Sequence, residues 1–246
     1  MSKDSALIEL EGITVAYGRG PVILDGVDLT LGHGDRVGII GPNGSGKTTL
    51  FLTIMGLIKP AAGRMRFRGK PLQTERDFQV VRRNVGFLFQ NSDDQLFCPT
   101  VLEDVAFGPL NLGKSPDEAR DISLRILKAL GLGESGTRIS HKLSHGEKKL
   151  VALASVLAME PEALILDEPT AGLDQKTKDR LSHILGGLNV SLIISSHEME
   201  FLSRMTDTFF ALTNGRIEPA RSVIPHTHVH VHAGGQYDHE HEDPYR

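Results

Sequence analysis

The sequence predicts an α/β protein wound around a mostly parallel sheet, and three observations carry that prediction. Short runs that are apolar almost throughout, Arg36-Val-Gly-Ile-Ile40, Ala163-Leu-Ile-Leu166 and Ser191-Leu-Ile-Ile194, have the length of strands buried on both faces. Segments of helical periodicity alternate with such runs, the order from which doubly wound sheets are built. The first run leads directly into a glycine loop and then a helix, Gly41-Pro-Asn-Gly-Ser-Gly-Lys-Thr48, and strand, glycine loop and helix in that order form a phosphate-binding loop.

Taken in order, Leu7 to Tyr17 alternates as a half-buried strand does, with Ile8, Leu10, Ile13 and Val15 as its apolar set and Gly12 marking a bulge or turn. Val22 to Thr30 reads in the same way. After the glycine loop, Thr48 to Leu57 is helical, with Leu50, Phe51, Ile54 and Met55 on one side, and Lys59-Pro60 and Gly63 stop it. Arg64 to Arg68 is a hairpin strand and Asn84 to Gln90 another. Ser115-Pro-Asp-Glu118 combines an N-cap, a proline at the first helical position and a capping-box glutamate. Ile122, Ile126, Leu127 and Leu130 then line one helical face as far as Gly131. A further helix runs from about Gly146 to Met159, and Phe209 to Ile217, around Asn214-Gly215, forms a terminal hairpin. The helical stretch of about 90–160 is expected to project from the nucleotide core as a subdomain. Beyond Arg221 apolar content falls, and His226, His228, His230, His232, His239 and His241 crowd into a tail, residues 221–246.

A chain of 246 residues is long enough for one large domain or a domain with a subdomain. The net charge of −4 argues against a general nucleic-acid binder, which needs a basic surplus. A single cysteine, Cys98, precludes an intramolecular disulfide and fits a reducing compartment. No apolar run approaches the roughly 20 residues that a bilayer span requires. The first residues, Met-Ser-Lys-Asp-Ser, lack an apolar signal core. The chain is therefore expected in the cytoplasm, reaching a membrane only through partners.

The glycine loop matches the Walker A spacing. Gly41, Gly44 and Gly46 let the backbone wrap a polyphosphate with no Cβ in the way, and Pro42, Asn43, Ser45 and Thr49 complete the loop and the first helical turn. Lys47 can reach the β- and γ-phosphate oxygens of a nucleotide, and the Thr48 hydroxyl suits Mg²⁺. Ala163-Leu-Ile-Leu-Asp-Glu168 is a Walker B pattern. It delivers Asp167 to hold Mg²⁺, directly or through water, and Glu168 to orient or deprotonate the attacking water.

Leu143-Ser-His-Gly-Glu147, lying between these motifs, resembles the signature of the ABC ATPases, usually Leu-Ser-Gly-Gly-Gln. The resemblance covers about residues 7–220 through six motifs in order. It implies a P-loop NTPase core with an antiparallel β subdomain and a helical subdomain. It also implies a second copy, or a related ABC ATPase, whose phosphate loop is closed by Ser144, Gly146 and Glu147 of this chain. His145 stands where the family has Gly, and its Cβ is expected to narrow the approach of phosphate. By the same resemblance Tyr17 stacks on adenine, Gln90 senses Mg²⁺ and the attacking water, Asp174 belongs to the loop that crosses the dimer, and His197 touches the γ-phosphate.

Gln90 to Gly113, Glu147-Lys-Lys and Leu157-Ala-Met-Glu-Pro161 are similar to the ATPases of energy-coupling-factor (ECF) importers. That similarity implies a transmembrane coupling subunit, a substrate-binding membrane subunit and a place on the cytoplasmic face of the membrane. Asp93, Asp94 and Glu103 are then the candidates for meeting basic coupling helices, and Leu150 replaces a common Arg. An extended His-x-His-x-His-x-His run sets its imidazoles on one side, roughly 6–7 Å apart, and imidazole suits Ni²⁺ and Co²⁺. The sequence therefore points to a cobalt/nickel importer ATPase. A vitamin importer (biotin, for example), a soluble ABC ATPase outside transport and a metal-storage protein are the alternatives.

Overall fold

The computed structural model describes residues 6–18 and 20–220. The six tail histidines, with the metal binding expected of them, lie outside the described residues. In chain order the elements are β1 (Ala6–Ala16), β2 (Val22–Gly32), β3 (Arg36–Ile40), α1 (Lys47–Ile54), β4 (Ala62–Phe67), β5 (Lys70–Pro71), α2 (Glu75–Asn84), β6 (Val85–Leu88), α3 (Val101–Asn111) and α4 (Pro116–Ala129). There follow α5 (His145–Leu157), β7 (Ala163–Asp167), α6 (Gln175–Gly186), β8 (Ser191–Ser195), α7 (Met199–Met205), β9 (Thr208–Thr213) and β10 (Arg216–Pro219).

Two sheets organise them. The antiparallel sheet has the order β2-β1-β4-β5, and its register shifts between Leu10 and Ile13, where Gly12 adopts φ 59° and bulges the strand. The central sheet has the order β10-β9-β3-β8-β7-β6. From β9 to β6 every neighbouring pair is parallel. Every residue of β7 and β8 is buried, which is why both read as unbroken apolar runs. Only β10 is antiparallel, joined to β9 through Asn214-Gly215 with φ of 51° and 78°, the left-handed pair a tight hairpin demands.

Three apolar clusters bind these layers. One lies between the antiparallel sheet, α1 and the central sheet, around Phe51 and Ile39. A second packs the central sheet against α5, α6 and α7. The third joins α3, α4 and α5 around Val101, Leu127 and Val151. Leu150 belongs to this third cluster and is 2 % exposed, so at that position a hydrophobic contact replaces a charged one.

Several boundaries differ from the sequence expectation for identifiable reasons. α1 ends at Ile54 rather than at Leu57, because Gly56 turns the chain at φ 70° and Leu57 is exposed. α2 is not foreseen in the periodicity: of its ten residues only Val81 is buried. It is announced instead by a capping box between Thr74 and Asp77. α3 likewise starts from a box between Thr100 and Glu103 and carries Pro109 within it.

The seam between β6 and α5 is the tightest test of this packing. A Cβ at Gly86 would collide with Val156 Cγ1 and approach Leu164 Cδ2 to 2.8 Å. Gly86→Ala is therefore expected to destabilise the chain by about 1–3 kcal/mol through overpacking. Chemical denaturation at neutral pH measures it, and an unchanged midpoint would contradict the packing described.

Candidate active site

The loop between β3 and α1 is a cradle whose shape depends on glycine. A Cβ at Gly41 would run into the Leu212 carbonyl and come within 2.8 Å of Ser45 Oγ, while Gly44 and Gly46 take φ of 78° and 105°. Gly46 caps α1 with no side-chain hydrogen bond, so the N–H groups of the first helical turn stay available to an anion. Lys47 is 7 % exposed; its Nζ donates to Gly41 O (2.7 Å) and Pro42 O (3.2 Å) and stands 4.0 Å from Glu168 Oε1. A cation this buried needs such partners, and here they are loop carbonyls and a carboxylate on the wall of the cradle.

β7 places the two carboxylates beside it. Asp167, 1 % exposed, accepts from Thr48 Oγ1 (2.5 Å) on one oxygen and from Ser195 Oγ (2.6 Å) on the other. Thr48 and Asp167 thus present adjacent oxygens, the donor set that Mg²⁺ prefers. Glu168 has φ 45°, a left-handed conformation that costs a residue with a side chain about 1–3 kcal/mol. Its N–H donates to the carbonyl and the hydroxyl of Ser195, both at 3.1 Å. This anchors the kink and turns the carboxylate toward the loop. His197 N donates to Glu168 Oε2 (3.2 Å), and its Nε2 lies 2.8 Å from Asn43 Oδ1 and 3.2 Å from Glu168 Oε1. Ser195 was not singled out from the sequence; its place opposite Asp167 in the β7–β8 register is the signal.

Between these groups lies a cavity of about 260 Å³, lined by Tyr17, Ile23, residues 43–49, Gln90, Asp167 and Glu168. Ser45 Oγ and Glu168 Oε1 are buried on its wall without a hydrogen-bond partner among the described residues. Buried carboxylate and hydroxyl oxygens, a lysine held by loop carbonyls and an open helix N-terminus together fit a nucleotide polyphosphate with its divalent cation. Tyr17 is 55 % exposed at the rim, its hydroxyl 3.2 Å from Thr49 Oγ1, leaving a flat ring for a base to stack on. When bound, Mg²⁺ supplies charge neutralisation and polarises the terminal phosphate.

The signature residues are not brought into this cavity. Ser144 caps α5 and Glu147 closes the box, Ser144 N donating to Glu147 Oε2 at 2.9 Å. Arg138 pairs with the same carboxylate, and this pairing together with the Ser144 N–H holds Glu147 down at about 2. Glu147 is thus engaged within its own chain. The ring of His145 reaches sideways, its Nε2 3.2 Å from Ala171 O, rather than standing free at the helix end. A Cβ at Gly146 would lie 3.1 Å from Thr177 Oγ1. Asp174 caps α6, accepting from Thr177 N (3.0 Å) and Thr177 Oγ1 (2.9 Å), and the Thr177 N–H holds its carboxyl below the usual range. The signature and the Asp174 loop therefore pack on each other, apart from the phosphate cradle.

Two further features surround Gln90. Lys149 in α5 is fully buried and donates to Phe89 O (3.1 Å) and Gln90 O (2.7 Å); burial pushes its ammonium down to about 8. The acidic stretch after Gln90 is in part already used. Asp93 pairs with Lys148 Nζ (2.6 Å) and Glu103 closes the Thr100 box, whereas Asp94 is exposed. What this face offers instead is apolar: Phe97, 65 % exposed, stands edge-on to Phe107 with centroids 4.7 Å apart, and both line a groove with Leu57, Phe89 and Met159.

The sequence pattern of the family described as ABC transporter matches residues 24–171. The energy-coupling factor transporter ATP-binding protein EcfA of Methanothermobacter thermautotrophicus is 44 % identical over 215 residues, covering 86 % of this chain and 69 % of that protein. The nickel import ATP-binding protein NikO of Rhodobacter capsulatus is 44 % identical over 234 residues, 89 % of this chain and 91 % of that one. Among solved structures, cbiO1 of Clostridium perfringens, described as part of the ABC transporter complex cbiONQ, superimposes with a TM-score of 0.77 at 35 % identity, over 87 % of this chain and 88 % of that one. With the phosphate cradle, paired carboxylates and signature helix in place, the chain belongs to the ABC transporter family as an ATP-hydrolysing, Mg²⁺-dependent subunit of the energy-coupling-factor type.

Proposed function

We propose that this chain powers a cobalt/nickel importer, working as a head-to-tail pair around two MgATP and pushing on a membrane subunit. One observation carries the pairing: the cavity holds Lys47, Asp167 and Glu168 but no residue of the signature. A γ-phosphate bound there lacks the cap that Ser144 and Gly146 can offer, and a second chain, identical or related, is the simplest source of it. In that arrangement Gln90, Thr48 and Asp167 hold the cation, Tyr17 the adenine, and His197 the γ-phosphate. Glu168 takes the proton of the attacking water, while Lys47 steadies the charge that develops on the phosphate.

Coupling to the membrane is assigned to the groove beside Gln90. Its apolar rim of Phe97 and Phe107 suits the buried centre of an interface, and Asp94 suits a basic contact at its edge. The cargo reading rests on the histidine tail, whose imidazoles favour Ni²⁺ and Co²⁺, and on the likeness to a nickel import protein.

Three outcomes test the reading. Glu168→Gln is expected to bind ATP normally, to elute as a dimer with MgATP and to lose about 10²-fold or more in hydrolysis; a wild-type rate refutes the role of Glu168. Phe107→Asp should leave the ATPase of the isolated chain unchanged yet abolish co-purification with the membrane subunit, and retained co-purification would place docking elsewhere. In reconstituted vesicles the complex should take up Ni²⁺ or Co²⁺ in an ATP-dependent manner, and a chain ending at residue 225 should keep its ATPase while losing metal bound at equilibrium. Uptake of a vitamin alone would overturn the cargo.

A further inference from the structure

Lys149 is a fully buried cation that forms no salt bridge among the described residues. Taking an ammonium out of water is unfavourable unless its hydrogen bonds are replaced, and an unbranched apolar side chain would fill the same space without that penalty. Its bonds go to two consecutive carbonyls, Phe89 O at 3.1 Å and Gln90 O at 2.7 Å. Because peptide units are planar, fixing the planes before and after Gln90 fixes the direction in which its side chain leaves the backbone. That direction leads into the phosphate cavity, which Gln90 lines. A second tie runs between the same segments: Phe89 N donates to Gln95 Oε1 (3.3 Å), and Gln95 Nε2 donates to Ala152 O of α5 (3.2 Å). The backbone that carries Gln90 is thus bound on both its donor and acceptor sides to the helix that begins at the signature.

We infer that Lys149 is a positioning residue for ATP hydrolysis, locking the Phe89–Gln90 backbone to α5 so that Gln90 and the signature helix move as one piece. Engagement of Ser144 and Gly146 with a partner's nucleotide is then transmitted to Gln90 in the chain's own cavity. The inference rests on the role given above to Gln90.

The test uses the full-length chain and compares wild type with Lys149→Met, Gln90→Ala and the double variant, measuring ATP hydrolysis, its dependence on Mg²⁺ and binding of a fluorescent ATP analogue. In Lys149→Met kcat should fall about tenfold and half-saturation by Mg²⁺ should rise, while KM for ATP shifts by no more than about twofold. The double variant should be no slower than Gln90→Ala, since both changes disable the same element. An unchanged kcat in Lys149→Met, or losses that multiply in the double variant, overturns the inference. Lys149→Gln, which keeps a donor, is measured in parallel; if neither Lys149 variant folds, as judged by circular dichroism, Lys149 is a stability element and the inference fails. Full activity in Gln90→Ala would defeat the role of Gln90 itself and this inference with it. Loss at Gln90 with none at Lys149 defeats the inference alone.

Discussion

Asp167 accepts one hydroxyl from the start of α1 and another from the end of β8 while sitting at the end of β7. Three elements that meet nowhere else in sequence are registered to one another through a single buried carboxylate. Charge-assisted hydrogen bonds of this length are strong and directional, and in a site 1 % exposed they are little weakened by water. Shift β8 against β7 by one residue and Ser195 leaves Asp167, Glu168 loses both acceptors of its N–H, and His197 turns away. The parallel register of β3, β8 and β7 is what prevents that. The chemistry of the cavity is therefore inherited from the sheet rather than added to it.

The helical cluster of α3, α4 and α5 meets this rigid centre through few polar ties. Lys149 and Gln95 join α5 to the end of β6, Lys148 joins it to Asp93, and His145 touches the Ala171 backbone. Beneath them the packing is generic and apolar. α5 belongs to both parts, packing on the central sheet through Ala152, Leu153 and Val156 and on α3 and α4 through Val151 and Ala154. The groove of Phe97 and Phe107 lies on that same junction, lined by the end of β6 and by α3 and α5.

Much of this was legible in the residues, and the reasons differ by element. β3, β7 and β8 declared themselves because strands buried on both faces tolerate little but Val, Ile and Leu, and the glycine loop because its backbone leaves no other choice at Gly41. The cradle residues and the carboxylates fall around one cavity for that reason. α2 escaped because its apolar face is short, Phe78 and Val81 against the core, and its cap is the clearer sign. Sequence shows the charge of the acidic stretch but not its partners: Asp93 pairs with Lys148, and Glu103 accepts hydrogen bonds from Thr100. Ser195 was invisible for a related reason, and Lys149 was marked by resemblance alone with no role. Their meaning lies in neighbours distant along the chain, and a serine in a strand or a lysine in a helix looks ordinary until those neighbours are known. Phe97 and Phe107 lie exposed on the surface, within a stretch the sequence marked only by resemblance.

The positive φ of Glu168 has a consequence for how this protein can vary. A glycine would sit there at ease and release the energy held in the kink. Any drift toward sturdier chains therefore pulls against the carboxylate carried at that bend, between Lys47 and His197. Natural variation should thus leave thermal robustness to be found elsewhere, in surfaces and caps, while this corner stays taut.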